Sequence, residues 1–114
     1  MIRRTLLTSL LLFTVDASAL DTGADLYQQH CSVCHGHQAN RKAWNVTDKI
    51  ATWSQEMIVE ALEGYKHKER NVYGFGDYMH PQISRYSDEE INAIAYYISA
   101  LGKRSDHLAA KSRR

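Results

Sequence analysis

The stretch Cys31-Ser32-Val33-Cys34-His35 decides how the rest of the chain is read, and it holds both of the chain's cysteines. Two thiols separated by two residues and followed at once by histidine form the attachment signal for a c-type haem. Each thiol can add to a vinyl group of the porphyrin. The short spacing wraps the backbone into a turn that places His35 beneath the ring as the proximal iron ligand. Two other uses of these residues compete. A thioredoxin-like redox pair needs a preceding strand and a βαβ setting, and no alternating strand pattern is present. A structural zinc site drawing on His30, His35 or His37 wants two separated ligand pairs, whereas these candidates crowd one segment.

The flanking sequence is helical in pattern. Asp21 to Cys31 reads as a short helix, with Asp21 or Thr22 as its cap and Tyr27 as its main apolar anchor. Ser54 starts a second helix, in which Ile58, Ala61, Leu62 and Tyr65 share one face. Trp53 before the cap serves as a hydrophobic staple, and the helix should end at Gly64 or just after Tyr65. The third helix carries the clearest signals. Ser87 and Glu90 form a capping box, Tyr86 and Ile91 its staple, and Asp88, Glu89 and Glu90 complement the helix dipole. Ile91, Ile94, Ala95 and Ile98 make its buried stripe, Leu101 extends it, and Gly102 stands where a glycine cap belongs. The expected fold class is therefore all-α, with three main helices around one covalently attached haem.

Between the second and third helices, Lys66 to Arg85 reads as a polar loop with Gly74, Gly76 and Pro81. Loops of that length in small domains are usually functional. A haem iron with one histidine needs a second axial partner or keeps an open site. The candidates are Met57, His67, Met79, His80 and His107. Met57 reads as packing, His107 as tail and His67 as a solvated side chain. Met79 is the best placed, because a loop tethered by helices at both ends can press its thioether onto iron. In an extended loop Met79 and His80 face opposite sides, and Pro81 favours extended backbone at His80.

The first nineteen residues read as an address. Arg3 and Arg4 precede the mostly apolar run Leu6 to Val15, and Ala17-Ser18-Ala19 supplies small residues for a signal peptidase. The run is short for a membrane span, although an uncleaved anchor is the alternative. The adjacent arginines alone do not make a twin-arginine signal. The expected division is a cleaved signal peptide at 1–19, a domain at 20–102 and a basic, fraying tail at 103–114. The 114 residues are one domain's worth, and a formal net charge of +1 lacks the footprint of a nucleic-acid binder.

Taken together, these motifs resemble the small soluble class I cytochromes c of bacteria. The resemblance covers nearly all of Asp21 to Leu101. Gly23 and Tyr27 stand where that family has a glycine and an aromatic before the first cysteine. Ile94 and Tyr97 stand where its C-terminal helix crosses the N-terminal one. Cys31 to Gly36 matches its Cys-x-x-Cys-His-Gly pattern, and Met79 matches its distal ligand. The resemblance implies haem c on Cys31 and Cys34, with His35 and Met79 on the iron. Many members place a proline after the haem motif to accept the proximal histidine's ring N–H. Pro81 is the chain's only proline, so residues 37–52 must supply another acceptor. Near the Ala61 to Lys66 segment, relatives often hydrogen-bond a haem propionate. Tyr65, Trp44, Trp53 and Arg70 are candidates for this, against packing or a solvated charge, and for Arg70 the solvated charge is the favoured reading.

The implied function is that of a periplasmic carrier, and not an enzyme. It would shuttle single electrons between respiratory partners as iron cycles between Fe2+ and Fe3+. Its partners would be redox proteins, a membrane oxidase or reductase or a peroxidase, met by a monomer in transient complexes without nucleic acid. The alternatives are a haem enzyme or sensor in which Met79 is displaceable, a cytochrome subunit of a larger oxidoreductase complex, and a thiol redox protein without haem.

The export reading has a direct check. N-terminal sequencing of the mature protein should begin at Leu20; a sequence beginning at Met1 would overturn cleavage.

Overall fold

A computed structural model describes residues 17–114, with side chains from Asp21 onward. Residues 1–16 of the expected signal segment thus lie outside the described residues. Regular structure among the described residues is entirely helical. Helix α1 (Ala17–Leu26) runs on through a π-helical turn (Tyr27–Cys31) into α2 (Ser32–His35). Two 3-10 turns follow (Ala43–Asn45 and Ile50–Thr52), then α3 (Gln55–Lys66), a 3-10 turn (Val72–Gly74), α4 (Gly76–Ile83) and α5 (Asp88–Ser112).

The caps read from the sequence form as expected on α3 and α5. Ser54 Oγ accepts from the Met57 N–H at 3.3 Å. Ser87 Oγ accepts from the Glu90 N–H, and Glu90 Oε1 from the Ser87 N–H, both at 3.1 Å. Each satisfies a backbone donor that the first helical turn leaves open. The stripe Ile91, Ile94, Ala95, Ile98 and Leu101 is buried, joined by Tyr27, Ile58, Leu62, Ile83 and Tyr86 in one core. Trp53 and Tyr65 pack at its edge.

Helix α1 packs on α5 more extensively than any other pair of elements. The approach is set by Gly23, where a Cβ would lie 2.1 Å from the Ala93 carbonyl oxygen and 3.2 Å from Tyr97 Cβ. No larger residue fits that crossing. The neighbouring aromatics, Tyr27 and Tyr97, meet with ring centroids 5.6 Å apart.

Three expectations are corrected. Asp21 and Thr22 lie inside α1 rather than capping it, because the helix already begins at Ala17. The Lys66 to Arg85 segment is not one loop; it contains α4, so Met79 and His80 are helical. That helix forms despite Pro81, which lacks the N–H its position would use. Its first turn is secured by Asn71, whose Oδ1 accepts from the Gly76 N–H at 2.8 Å. Gly102 is not a cap either, since α5 continues to Ser112 and residues 103–114 are exposed. Gly102 is buried, and a Cβ there would lie 1.9 Å from the Ala51 carbonyl oxygen. The glycine is required by close approach, not by the end of a helix.

This gives a prediction in which two effects oppose. Helix propensity alone favours Gly102→Ala by about 1 kcal/mol, while overpacking against Ala51 costs about 1–3 kcal/mol. Denaturant unfolding should show a net loss of stability; a gain would overturn the close-contact reading.

Candidate cofactor site

The π turn, α2, α3, α4 and α5 all contribute to one cavity of about 490 Å³, within the usual range for cofactor sites. Its apolar wall comes from Ile58 and Leu62 on α3, Ile83 on α4, and Ile94 and Ile98 on α5. Cys31, Cys34 and His35 line it from the π turn and α2, and Met79 from α4. The four site residues expected from the sequence therefore come together.

The motif is held by bonds from both sides. Tyr27, fully buried, donates its hydroxyl to the Gly36 carbonyl at 2.6 Å. Gly36 leaves α2 with φ +82°, a conformation that suits glycine. Ser32 Oγ donates to the Gln28 carbonyl at 2.7 Å. Gln28 Nε2 in turn donates to the Tyr97 hydroxyl at 2.9 Å, tying the turn to α5. The Arg41 guanidinium donates to the Val33 carbonyl, to the Cys34 carbonyl at 3.3 Å and to the Ser32 carbonyl at 3.5 Å. It thereby occupies the carbonyl end of α2, where a cation suits the helix dipole. Sequence reasoning missed Arg41; a basic residue six positions after the histidine was the only signal.

Burial, with a smaller contribution from Arg41, holds the His35 imidazole below the usual histidine range. The ring is therefore neutral near pH 7, the form that can ligate a metal. Its Nδ1 is buried without a partner, so residues 37–52 do not supply the acceptor expected of them. The Cys31 thiol is pushed up to about 12, chiefly by burial. Cys34 is exposed.

Met79 is half-buried against the core, and its N–H donates to the Phe75 carbonyl at 3.0 Å. His80 does not line the cavity; its Nδ1 lies 3.0 Å from the Tyr65 carbonyl oxygen. Its separation from Met79 arises from helical rotation of about 100° per residue, not from an extended loop. His67 is exposed, with Nε2 3.2 Å from Glu63 Oε2. His107 is exposed near the end of α5. Met57, expected to pack, is 51 % exposed.

Arg70 is not the solvated charge the sequence suggested. Its guanidinium carbon lies 5.7 Å from the Trp53 ring centroid and 5.5 Å from that of Tyr65. These cation–π contacts place it on the cavity wall, with Nε buried and unpartnered. The Tyr86 hydroxyl is also buried without a partner, and burial raises its pKa. Trp44 stacks on Phe75 at the cavity rim.

Three of the residues lining the cavity, His35, Arg70 and Tyr86, thus carry buried polar atoms with no protein partner. Such orphans are rare in finished interiors. An apolar chamber offering two thiols, an imidazole, a thioether and a guanidinium fits a covalently held haem. Residues 18–98 match the family described as cytochrome c oxidase, cbb3-type, subunit III. The chain belongs to this cytochrome c family. It is also 34% identical over 94 residues to cytochrome c-553 of Nitratidesulfovibrio vulgaris (strain DSM 19637 / Miyazaki F), across 80% of this chain and 87% of that protein. No solved structure matches it.

Membership carries a covalently bound haem c and the role of electron carrier. The competing readings gain nothing from the structure. Among the described residues no strand precedes the motif, and no three His, Cys, Asp or Glu side chains are arranged to hold a metal ion. Among the same residues, no helix is long and apolar enough to cross a membrane.

The Tyr27 bond to Gly36 gives this cytochrome a pH signature. Burial raises the Tyr27 pKa well above the tyrosine range. The raised folded pKa means its stabilisation is complete below the unfolded value of about 10 and is lost as pH climbs towards the folded one. Tyr27→Phe should cost about 1 kcal/mol at pH 7. Its stability should then fall less steeply than that of the wild type above about pH 10. Parallel slopes in denaturant titrations would refute the assignment.

Proposed function

We propose that this cytochrome is an exported, monomeric carrier of single electrons. In this reading Cys31 and Cys34 hold the haem through thioethers, and His35 and Met79 are its proximal and distal ligands. The supporting observation is that these four residues, and neither His67 nor His80, line one apolar cavity. A bound haem c supplies one reversible electron as its iron alternates between ferrous and ferric states. The protein's part is to hold and tune that group. Neutral His35 offers a lone pair without first losing a proton. Met79, a soft donor, favours the ferrous state relative to a second histidine. With both side chains bound to the iron no position would remain for a substrate, and the chain would transfer electrons rather than catalyse a reaction of its own.

Arg70, steadied between Trp53 and Tyr65, is placed to pair with a haem carboxylate and to satisfy its own buried Nε. Val33, 73 % exposed within the Cys-x-x-Cys segment, marks an apolar edge that partners can approach. Redox proteins such as a membrane oxidase or reductase, or a peroxidase, would meet that edge through a small, short-lived interface. The extracytoplasmic location follows from the N-terminal address, which leaves 20–102 as the cytochrome domain and 103–114 as a basic extension.

Variants of the ferric holoprotein test the ligand set. Met79→Ala should abolish the near-infrared methionine-to-iron band and lower the reduction potential, whereas His67→Ala and His80→Ala should leave the band in place. Acid–acetone should not strip the haem. A His80→Ala variant that loses low-spin character while Met79→Ala is silent would make this a bis-histidine cytochrome instead.

A further inference from the structure

Several aromatic side chains at the cavity rim have no part in the ligand set. Trp44, on the Ala43–Asn45 turn, stacks on Phe75 with centroids 5.0 Å apart and planes 12° from parallel. Tyr78 completes the group, 5.4 Å from Trp44 and 5.8 Å from Phe75. A second tie joins the same two segments, since the Tyr73 hydroxyl donates to Asp48 Oδ1 at 3.4 Å. Burial alone does not explain the arrangement, because Trp44 is 58 % and Tyr78 61 % exposed. Both turns also hold non-glycine residues in the left-handed region, with φ of 49° at Trp44, 60° at Asn45 and 56° at Tyr73. Such conformations persist only where surrounding contacts impose them.

The stack reaches the proposed distal ligand through one residue. The Phe75 carbonyl accepts from the N–H groups of Tyr78 at 3.1 Å and Met79 at 3.0 Å. Gripping the Phe75 ring therefore fixes the peptide from which the first turn of α4 hangs. Further along that helix, His80 lies against the Tyr65 carbonyl and Ile83 is buried in the core. Without the rim contacts α4 would be anchored to the body mainly from that side.

We propose that Trp44, Phe75 and Tyr78, aided by the Tyr73–Asp48 bond, form a clasp that holds α4 against the Ala43–Asp48 segment and so resists departure of Met79 from the iron. The second half of this statement rests on Met79 being the distal ligand; the first half does not. These are positioning residues, acting on the ligand through the helix that bears it.

The test uses ferric holoprotein with two readouts. Hydrogen exchange of the α4 amides reports whether the helix is held. Titration with imidazole, followed by the methionine-to-iron band, reports how readily Met79 is displaced. Aromatic pairs of this kind are worth enough that losing two should change either equilibrium on the order of tenfold. Trp44→Ala should speed α4 exchange and lower the half-displacing imidazole concentration by that factor. Trp44→Phe should recover most of both, and Tyr96→Ala, on the exposed face of α5, should change neither. Exchange within twofold of the wild type in Trp44→Ala overturns the clasp. Faster exchange with unchanged imidazole titration overturns its link to Met79. A wild type with no methionine-to-iron band overturns the ligand assignment, and the exchange arm still decides the clasp. Should Trp44→Ala fail to mature as holoprotein, Tyr78→Leu at the exposed end of the group takes its place, with the same criteria.

Discussion

The crossing of α1 over α5 at Gly23 is the constraint on which the remainder of the site depends. Because a Cβ at Gly23 would sit 2.1 Å from the Ala93 carbonyl oxygen, only glycine lets the helix axes come this close. That approach brings Tyr27 against Tyr97 and buries it completely. Tyr27 then reaches across nine residues to hold the Gly36 carbonyl, and Gln28 ties the same segment to Tyr97. The Cys31–His35 motif is thus suspended from a helix crossing. A shift of α1 along α5 would move both thiols and the imidazole together.

The core and the cofactor wall are largely the same residues. Ile58, Leu62, Ile83, Ile94 and Ile98 belong to the buried cluster and also line the cavity. A fully covered side chain of this size stabilises a fold by about 1.5–3 kcal/mol. Against a cavity some of that contribution awaits an apolar guest. A domain this small buries only about 60% of its unfolded surface, so it has little reserve from which to make up the difference. Folding and filling of the cavity are for this reason coupled: a covalently bound haem c stays on the unfolded chain, and its burial among these side chains is part of what stabilises the native state.

The parts of this architecture written in local chemistry were legible in the sequence. Ser54, Ser87 and Glu90 announce their caps, the isoleucines of α5 repeat at helical spacing, and the cysteines and histidine carry their own geometry. What escaped was decided by contacts between distant segments. Helix α4 was obscured by Gly74, Gly76 and Pro81, whose local preferences favour a loop, and it forms because Asn71 and Phe75 secure its first turn. Gly102 looked like a helix end because close approach to Ala51 leaves no mark in local sequence. Arg70 looked like a free charge because its neighbours Trp53 and Tyr65 lie on other parts of the chain. Arg41 and the Trp44–Phe75 stack belong to the same class. No short-range pattern announces that a guanidinium will cover the end of a helix or that two turns will meet through their rings.

The π turn at Tyr27–Cys31 has a consequence for how such chains can vary in length. A π turn is the mark of one residue more than an α-helix would hold. Removing a residue there would let the helix close normally, and everything after it would swing by about 100° around the axis. Cys31, Cys34 and His35 would turn away from the cavity together while Tyr27 stayed where the helix crossing holds it. The five residues from Tyr27 to Cys31 therefore act as a fixed-length spacer. The exposed residues 103–112 of α5 carry no such burden, since none of them belongs to the core or lines the cavity. Insertions and deletions should be strongly selected against at the first place and nearly neutral at the second.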